Sequence, residues 1–505
     1  MKNLCKYLLL GVLGTTLASC AMSPKGGYNY GKGYDNYVIP AGNYGVGSSQ
    51  CQVAPEMGSE EQLPPTGEDA KYENPFVEVS EETKTNNVSL TSTSFAYTTL
   101  RECVNRGNVY EIKNLVRTEE MLNYFSYGYE NKTEDALTTH LELDVCPWNN
   151  EHYLASVVVK AKPAITENVK NNIVILVDKS GSMTDVFGLV KTSLHTLVDN
   201  LGDSDKVSIV SYASGCKVEI EGKSGKDKKE LNKVIDDLKA SGSTWGEAGI
   251  EKAYETAYKY FIDGGNNRVV ILTDGDFNVG KVTGEELTKL IKQKASDGVY
   301  LTCCGYRSRD NGTLYALADN GDGNAYYIDG ELEANKVFEE ELGKSMYVVA
   351  KDAKCQIEFS PAVESYRLLG YETRQMSNQE FEDDKKDAGE IMSDHTTVAL
   401  YELAVKNFEE SDFIFKTKLR YKDPITFDSK EVTSIKADVA VSRRSDYDFA
   451  TYVAEFALVL QDSNYKAASS YDHLLERINN DYIDNKYRDD FVALIHKAKS
   501  FETNG

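Results

Sequence analysis

Three stretches of the sequence end in side-chain oxygens that a metal ion could bind. In NNIVILVDKSGSMTDV, a run of five apolar residues leads directly into Asp178, Ser180 and Ser182. The glycine-rich stretch SGSTWGEAG supplies Thr244, and ILTDGDFN supplies Asp274 after a second apolar run. Hard divalent cations prefer carboxylate and hydroxyl oxygens, and Mg²⁺ takes six oxygen ligands at short distance. These five residues are therefore predicted to form a divalent-cation site.

Each stretch also has a simpler interpretation. Asp178 and Ser180 fit a turn that ends a strand, and Thr244 fits the N-cap of the following helix. Asp274 with Gly275 is a common turn dipeptide. The cation site is favoured because all three stretches would meet at one edge of one sheet. Mg²⁺ is the expected ion, with Mn²⁺ and Ca²⁺ as alternatives.

The predicted site leaves part of the cation's charge and coordination shell unsatisfied. Two carboxylates and three hydroxyls do not fill the shell, so a carboxylate from an Asp or Glu of a protein partner could complete it. Trp245 follows Thr244 directly, and Asp276 lies beside Asp274. Both are candidates for ligand contact, and Trp245 packed against its own loop is an equal alternative.

Residues 170–349 alternate apolar strands with amphipathic helices. The runs NIVILVD, DKVSIVSYA, NRVVILTDG and GVYLTCCGY, and a shorter one at NAYYIDG, are separated by helical patterns such as FGLVKTSLHTLVDNL. This alternation predicts an α/β fold with a doubly wound, mostly parallel, Rossmann-like sheet. Ligands bind beyond the carboxyl ends of such strands, where Asp178 and Asp274 both fall. The adjacent Cys303 and Cys304 are expected to point to opposite faces of one core strand.

The segments on either side, 72–169 and 350–505, have α+β patterns. Strands are predicted at LTTHLELDVCPW and HYLASVVVKAK in the first segment. The second segment has strand patterns at AKCQIEFSP, HTTVALYELAVK and DFIFKTKLRYKD, and then closes with helices. Strand segments on both sides favour one β-rich domain with C-terminal helices, into which the α/β unit is inserted.

The motifs DKSGS, GST and TDG on this frame resemble the von Willebrand factor type A domain and its metal-ion-dependent adhesion site. The resemblance implies that Ser180, Ser182 and Thr244 coordinate the cation. It also implies that Asp178 and Asp274 act directly or through water. The stretches TEEMLNYFSYGY, CPWNNEHYL, YRLLGYETR and DDKKDAGEI further resemble bacterial lipoproteins that carry this domain between characteristic flanking domains.

Several features depart from that family. Where its members have a stretch resembling SIDVDTASY, this chain has SLTSTSFAY, without the acidic pair. Lys179 lies inside the metal loop, where its ammonium is expected to extend to solvent; weakened cation binding is the alternative. Trp245 replaces the small polar residue that is more usual there.

The charged stretch 383–391 is expected to be a solvated turn rather than a second cation site.

Residues 1–19 are predicted to be a lipoprotein signal peptide. Its apolar core of about a dozen residues is too short to span a bilayer as a mature helix. LASC resembles the lipobox, in which Cys20 is acylated; an ordinary secretory signal is the alternative. Residues 20–71, rich in Gly, Tyr and Pro, are predicted to be a flexible tether. By resemblance to lipoprotein sorting, Ala21 favours an outer-membrane anchor facing the periplasm over display on the cell surface.

The net charge and the positions of the histidines argue against several classes of function. The formal net charge of −24 argues against a nucleic-acid partner, and nucleotide is not expected because ATP is absent outside the inner membrane. None of the six histidines lies in the three metal loops, so no general base is evident and an enzyme is not predicted. The prediction is a membrane-anchored module that binds a protein ligand as an adhesion, receptor or scaffold component. A metal-independent structural component and a metal-dependent hydrolase are the alternatives.

Overall fold

A computed structural model describes most of the chain after the predicted tether. The described residues are 73–108, 112–164, 169–242, 247–275, 284–306, 311–341, 347–406, 414–424, 426–435, 444–479 and 485–502. Within these ranges no helix is both long and apolar enough to cross a membrane. The predicted signal peptide, Cys20 and the tether lie outside the described residues.

The elements fall into three consecutive segments. The first flanking segment contains β1 (Val77–Glu78), β2 (Thr85–Ser89), α1 (Phe95–Arg106), α2 (Ile112–Leu115), α3 (Thr118–Asn123), β3 (Leu137–Val145) and β4 (Tyr153–Ala161). The central unit contains β5 (Asn171–Asp178), α4 (Phe187–Asn200), β6 (Lys206–Tyr212), β7 (Cys216–Ser224), α5 (Lys228–Asp237), α6 (Glu247–Lys259), β8 (Asn266–Thr273), α7 (Gly284–Ser296), β9 (Val299–Gly305), α8 (Asn311–Asn320), β10 (Ala325–Tyr327) and α9 (Glu331–Asn335). The second flanking segment contains β11 (Val348–Phe359), β12 (Val363–Leu369), β13 (Gln375–Met376), α10 (Asn378–Glu382), β14 (Gly389–Met392), β15 (Thr396–Val405), β16 (Phe415–Lys422), β17 (Ser429–Ile435), α11 (Arg444–Gln461), α12 (Tyr471–Asn479) and α13 (Lys486–Glu502).

The strands described in the central unit form one sheet in the order β10-β9-β8-β5-β6-β7. Adjacent strands of this sheet run parallel, except that β6 and β7 are antiparallel. Helices cover both faces: one core contains Val177, Leu194 and Cys304, and the other contains Leu176 and Cys303. The predicted doubly wound sheet is confirmed, and the adjacent cysteines point to opposite faces as expected.

Strand β7 is missing from the predicted strand set. Its sequence, CKVEIEGKS, alternates charged and apolar residues, and Ile220 is its buried side chain. The strand forms an edge of the central sheet, where charged side chains discourage pairing with another chain. The period-2 alternation is the signal that could have identified it.

Both flanking segments contribute strands to two antiparallel sheets. One sheet has the order β1-β12-β15-β4-β3, and the other has the order β13-β2-β11-β16-β17, with β14 also paired to β11. Their inner faces share a core that includes Val88, Val157, Cys355, Tyr401 and Leu419. Because β4 pairs with β15 and β2 pairs with β11, strands from before and after the central unit are neighbours. The prediction of one β-rich domain with the α/β unit inserted in it is confirmed.

Helices from both flanks cover the outer face of the first of these sheets. Their shared core includes Leu100 of α1, Val398 of β15 and Phe449 of α11. The Phe125 ring makes edge contacts with the rings of Phe449 and Phe491, with ring centroids 4.9 and 5.4 Å apart. The predicted C-terminal helices therefore complete the flanking domain rather than forming a separate one.

His395 lies where the flanking domain meets the central unit. It lines a cavity of about 90 Å³ together with Lys336, Glu341 and Glu390. Its Nε2 atom is buried without a hydrogen bond to the described residues. Burial lowers the pKa of the imidazole to about 3, and the ammonium groups of Lys336 and Lys160 lower it in the same direction. The side chain is therefore neutral in the folded protein at neutral and mildly acidic pH.

This neutral imidazole is expected to make the fold less stable in mild acid. The unfolded chain binds a proton below its pKa of about 6.5 that the folded chain does not, which removes about 2 kcal/mol of unfolding free energy between pH 7 and pH 5. The variant His395→Gln should lack this contribution. Chemical denaturation of both proteins across this range measures the difference in unfolding free energy. Burial raises the pKa of Glu390 to about 7, which has the opposite effect on stability in both proteins and cancels from their difference. If the unfolding free energies of the two proteins changed equally between pH 7 and pH 5, the effect could not be assigned to His395.

Candidate cation site at the edge of the central sheet

Asp178 is the last residue of β5 and is fully buried. Its Oδ1 accepts the backbone N–H of Ser180 at 2.7 Å. Its Oδ2 accepts the hydroxyls of Tyr212 at 3.1 Å and Thr273 at 3.3 Å, at the ends of the two neighbouring strands. Burial raises the pKa of the carboxyl group, the Ser180 hydrogen bonds oppose this, and the charge of Asp274 raises it again. Donors from three chain segments fix the orientation of this carboxylate at the sheet edge.

Ser180 and Ser182 present their hydroxyls side by side beyond β5. Ser180 is buried, Ser182 is partly exposed, and their Oγ atoms are 2.9 Å apart, within hydrogen-bonding distance. Adjacent oxygen ligands of an octahedral Mg²⁺ also lie about 2.9 Å apart, since each Mg–O distance is about 2.0–2.1 Å. Both hydroxyls can therefore bind one cation at their present separation, and the donor set fits the ion that the fold family implies.

The loop that leads to Thr244 is joined to the loop after β5 by the main chain. The N–H of Gly181 donates to the carbonyl of Gly242 at 2.9 Å. Gly242 has a φ of +95°, and a Cβ at this position would lie 2.7 Å from the Ser214 Oγ, so the site requires glycine. Thr244 and Trp245 themselves lie outside the described residues.

Asp274 follows β8 directly and is fully buried. Strands β5 and β8 are parallel neighbours, so Asp274 and Asp178 leave the sheet at the same edge. Gly275 follows with a φ of +90°, and Asp276 lies outside the described residues. The structure thus places four predicted site residues at one edge: Asp178, Ser180, Ser182 and Asp274.

Lys179 does not extend to solvent, and that expectation was wrong. Its Nζ lies 2.9 Å from Oε1 of Glu219 on β7, and 21% of its side chain is exposed. Glu219 also accepts the Ser211 hydroxyl at 2.7 Å and pairs with Lys217. Burial raises the pKa of Glu219, but hydrogen bonds from Lys217, Lys179 and Ser211 outweigh it and hold the pKa at about 2. The expectation failed because β7, which supplies the carboxylate, was not predicted.

Three contacting residues were missing from the predicted site: Tyr212, Thr273 and Glu219. Thr273 precedes the aspartate of TDG, and Tyr212 ends the strand pattern DKVSIVSYA, so both stand at strand carboxyl ends where ligands bind. That position is the signal that could have identified them. Glu219 had no such signal, because its role depends on the antiparallel pairing of β7 with β6.

The charged stretch 383–391 covers the connection after α10, residues 383–388, and the first three residues of β14. Its Asp384 pairs with Arg420 at 3.0 Å, and its Lys386 pairs with Glu380 at 2.7 Å. In the described ranges, no group of three or more His, Cys, Asp or Glu side chains is placed to hold a metal ion. Residues 383–388 form a largely exposed charged turn, as predicted, whereas residues 389–391 belong to β14.

Comparison with known families decides the identity of the central unit. Residues 172–340 match the model of the von Willebrand factor type A domain. The chain carries a von Willebrand factor type A domain at these residues. Residues 68–156, before the A domain, match a model described as von Willebrand factor, and residues 344–501 match the model of the C-terminal region of the uncharacterized protein YfbK.

Two curated relatives resemble this A-domain protein over part of their lengths. The uncharacterized protein YfbK of Escherichia coli (strain K12) is 37% identical over 340 residues, which cover 65% of this chain and 58% of that protein. The uncharacterized protein sll0103 of Synechocystis is 25% identical over 266 residues, which cover 50% of this chain and 62% of that protein. This chain therefore spans less than two thirds of each relative.

The fold also resembles solved structures at low sequence identity. One is a von Willebrand factor type A protein from Catenulispora acidiphila, with 14% identity and a TM-score of 0.37. The match covers 73% of this chain and 91% of that chain.

Proposed function

We propose that this A-domain protein is a non-enzymatic binding module that captures a protein partner through a divalent cation. The ion, Mg²⁺ by preference and Mn²⁺ or Ca²⁺ otherwise, would be held by Asp178, Ser180, Ser182, Thr244 and Asp274. The observation that carries the proposal is the pair of Ser180 and Ser182 hydroxyls, 2.9 Å apart beside a buried and oriented carboxylate.

The charge of this donor set favours a carboxylate ligand. The described part of the site supplies two acidic groups, Asp178 and Asp274, and otherwise neutral hydroxyls. A bound divalent cation would act as a Lewis acid toward an Asp or Glu carboxylate from the partner. Trp245 and Asp276, next to the site in sequence, are proposed to contact that partner.

The same geometry gives little support to hydrolysis. A serine nucleophile needs a general base within hydrogen-bonding reach. The Ser180 and Ser182 hydroxyls lie within hydrogen-bonding distance of each other, and the Asp178 carboxylate already accepts three donors. We therefore favour binding over catalysis at this edge.

The setting that we propose is the cell envelope. Acylation of Cys20 would anchor the chain in the outer membrane, and residues 20–71 would hold the A domain away from it on the periplasmic side. Several acyl chains make such an anchor stable, because one chain alone binds a membrane marginally. Neither nucleic acid nor nucleotide is part of the proposal.

The cation site predicts a metal-dependent gain in stability. Mg²⁺ at about 100 times its dissociation constant should stabilise the protein by roughly 2.7 kcal/mol. Thermal unfolding of the purified chain, in EDTA and in graded Mg²⁺ or Mn²⁺, measures this shift. The variant Ser180→Ala removes one predicted ligand and should abolish or strongly weaken it.

Ser208→Ala is the matched control. Ser208 is as buried as Ser180 but lies towards the opposite end of the same sheet, where its hydroxyl accepts the Gly222 N–H at 2.9 Å. This variant should unfold earlier than the wild type yet retain the full cation shift. Loss of the shift in both variants, or no shift in the wild type, would overturn the proposed site.

A further inference from the structure

Lys179 places a positive charge inside the loop that would hold the cation, and the carboxylate of Glu219 forms an ion pair with it. The lysine stands between Asp178 and Ser180, and a cation beside a divalent-ion site weakens binding by Coulomb repulsion. Its Nζ lies 2.9 Å from Oε1 of Glu219, in a pair whose side chains are 21% and 10% exposed. This pair is partly shielded from water, so its geometry and charge balance matter more than those of a surface ion pair.

The backbone of Lys179 is fixed by two hydrogen bonds. Its N–H donates to the carbonyl of Tyr212 at 2.8 Å, and its carbonyl accepts the N–H of Ser241 at 2.6 Å. These bonds join the end of β6 and the loop that leads to Thr244. With the main chain held in this way, the side-chain rotamer decides how far the ammonium lies from the cation.

Glu219 is held in place independently of the lysine. Its Oε1 accepts the Ser211 hydroxyl at 2.7 Å, and its Oε2 pairs with Lys217 on the same strand. Strand β7 pairs with β6 on both sides of Glu219, which lies at a register shift between the pairs Ile209–Ile220 and Val210–Val218. Glu219 can therefore direct Lys179 rather than follow it.

We propose that Glu219 sets the cation affinity of the A domain by holding the Lys179 ammonium against β7 and neutralising its charge. The inference rests on the proposed cation site and assigns Glu219 as a positioning residue for it. In this way the site can bind a divalent cation although Lys179 lies in its loop.

Two charge-changing variants test this inference, because both break the same ion pair but only Glu219→Gln leaves the Lys179 ammonium in the loop without its partner. Glu219→Gln leaves the ammonium free to approach the site, and Lys179→Gln removes it. A unit charge about 10 Å from a divalent cation changes its affinity by roughly fourfold in a water-like dielectric, and by more where water is excluded. We expect Glu219→Gln to weaken Mg²⁺ binding by at least this factor, and Lys179→Gln to bind Mg²⁺ as tightly as the wild type or more tightly.

The dissociation constant for Mg²⁺ alone, from calorimetry or cation-dependent unfolding of the full chain, is the readout. Unfolding in EDTA reports structural damage separately and should be similar for the two variants. The double variant, Lys179→Gln with Glu219→Gln, should recover near-wild-type affinity because no ammonium remains inside the loop.

Equal weakening by both single variants, or a double variant as weak as Glu219→Gln, would show that the pair only supports the loop and would overturn the inference. Unchanged affinity in Glu219→Gln would do the same. The proposed site itself would be overturned if Mg²⁺ did not raise the unfolding temperature of the wild type, or if Ser180→Ala did not remove that rise. This inference would then fail with the site.

Discussion

Replacement of Arg101 by methionine is expected to lower the free energy of unfolding by about 3–5 kcal/mol. Arg101 lies on α1, its side chain is 4% exposed, and its guanidinium donates to both carboxylate oxygens of Asp329 at 2.6 and 2.7 Å. It also pairs with Glu333 at 3.0 Å and with Asp490 at 3.3 Å, and it donates to the Tyr124 hydroxyl at 2.9 Å. Methionine would leave the buried Asp329 and Glu333 carboxylates without their counter-ion.

The partners of Arg101 come from all three segments of the chain. Asp329 and Glu333 belong to the A domain, Tyr124 follows α3, and Asp490 lies on α13. One guanidinium therefore joins the inserted domain to helices from both flanks. The large cost follows from the desolvated charges that remain after its removal, rather than from the net worth of the pairs themselves.

Arg106→Met is the matched control for this prediction. Arg106 lies one turn further along the same helix and pairs with Glu102, but 59% of its side chain is exposed. The Glu102 side chain is 10% exposed, but it keeps the Tyr327 hydroxyl as a donor, so this variant should lose clearly less stability than Arg101→Met. Urea denaturation followed by circular dichroism compares the three proteins. Equal losses in the two variants would show that burial of the Arg101 network is not what stabilises the junction.

The sequence predicted the A domain well because its strands are continuous apolar runs. β5 and β8 are buried on both faces, so nearly every residue carries the signal. Strand β7 carries half of that signal, since one of its faces is charged, and it was missed. Its absence from the prediction also concealed Glu219 and led to the wrong expectation for Lys179.

The candidate site was predictable where its residues follow strands directly. Asp178 and Asp274 meet at one edge because parallel register brings strand ends together, a property that follows from the fold. The Tyr212 and Thr273 hydroxyls on Asp178 depend on side-chain directions, which strand patterns do not give. The site residues outside the described ranges, Thr244 foremost, stay predictions.

The inserted topology was predictable, but the contacts that stabilise it were not. Strand patterns on both sides of the A domain predicted one shared domain. The division into two packed sheets depends on which strands pair across more than 200 residues of sequence, as β2 and β4 do with β11 and β15. The Arg101 pairs with Asp329 and Asp490 are separated by 228 and 389 residues, and no local pattern identifies them.

The second large effect is expected at Gly389, where β14 of one flank lies against the residues at the end of β2 from the other. Gly389 pairs with Ala353 on β11, and the N–H of Leu90 donates to the carbonyl of the same Ala353 at 2.9 Å. Strand β11 therefore changes neighbours at this point, from the end of β2 to the start of β14. The Gly389 N–H also donates to the Ser89 hydroxyl at 2.9 Å, which draws the two main chains together.

Gly389→Ala should cost about 3 kcal/mol of unfolding free energy or more, because a Cβ would overlap main-chain atoms that cannot rotate away. The added carbon would lie 1.7 Å from the Leu90 carbonyl oxygen. Gly330→Ala is the control: a Cβ there meets nothing within 4 Å, and because Gly330 is the N-cap of α9 this variant should stay within about 1 kcal/mol of the wild type. Urea denaturation of the wild type, Gly389→Ala and Gly330→Ala measures these differences in unfolding free energy. A Gly389→Ala protein as stable as the Gly330→Ala protein would mean that the two flanking strands separate at little cost, and that the close approach of Leu90 to Gly389 does not hold the flanks together.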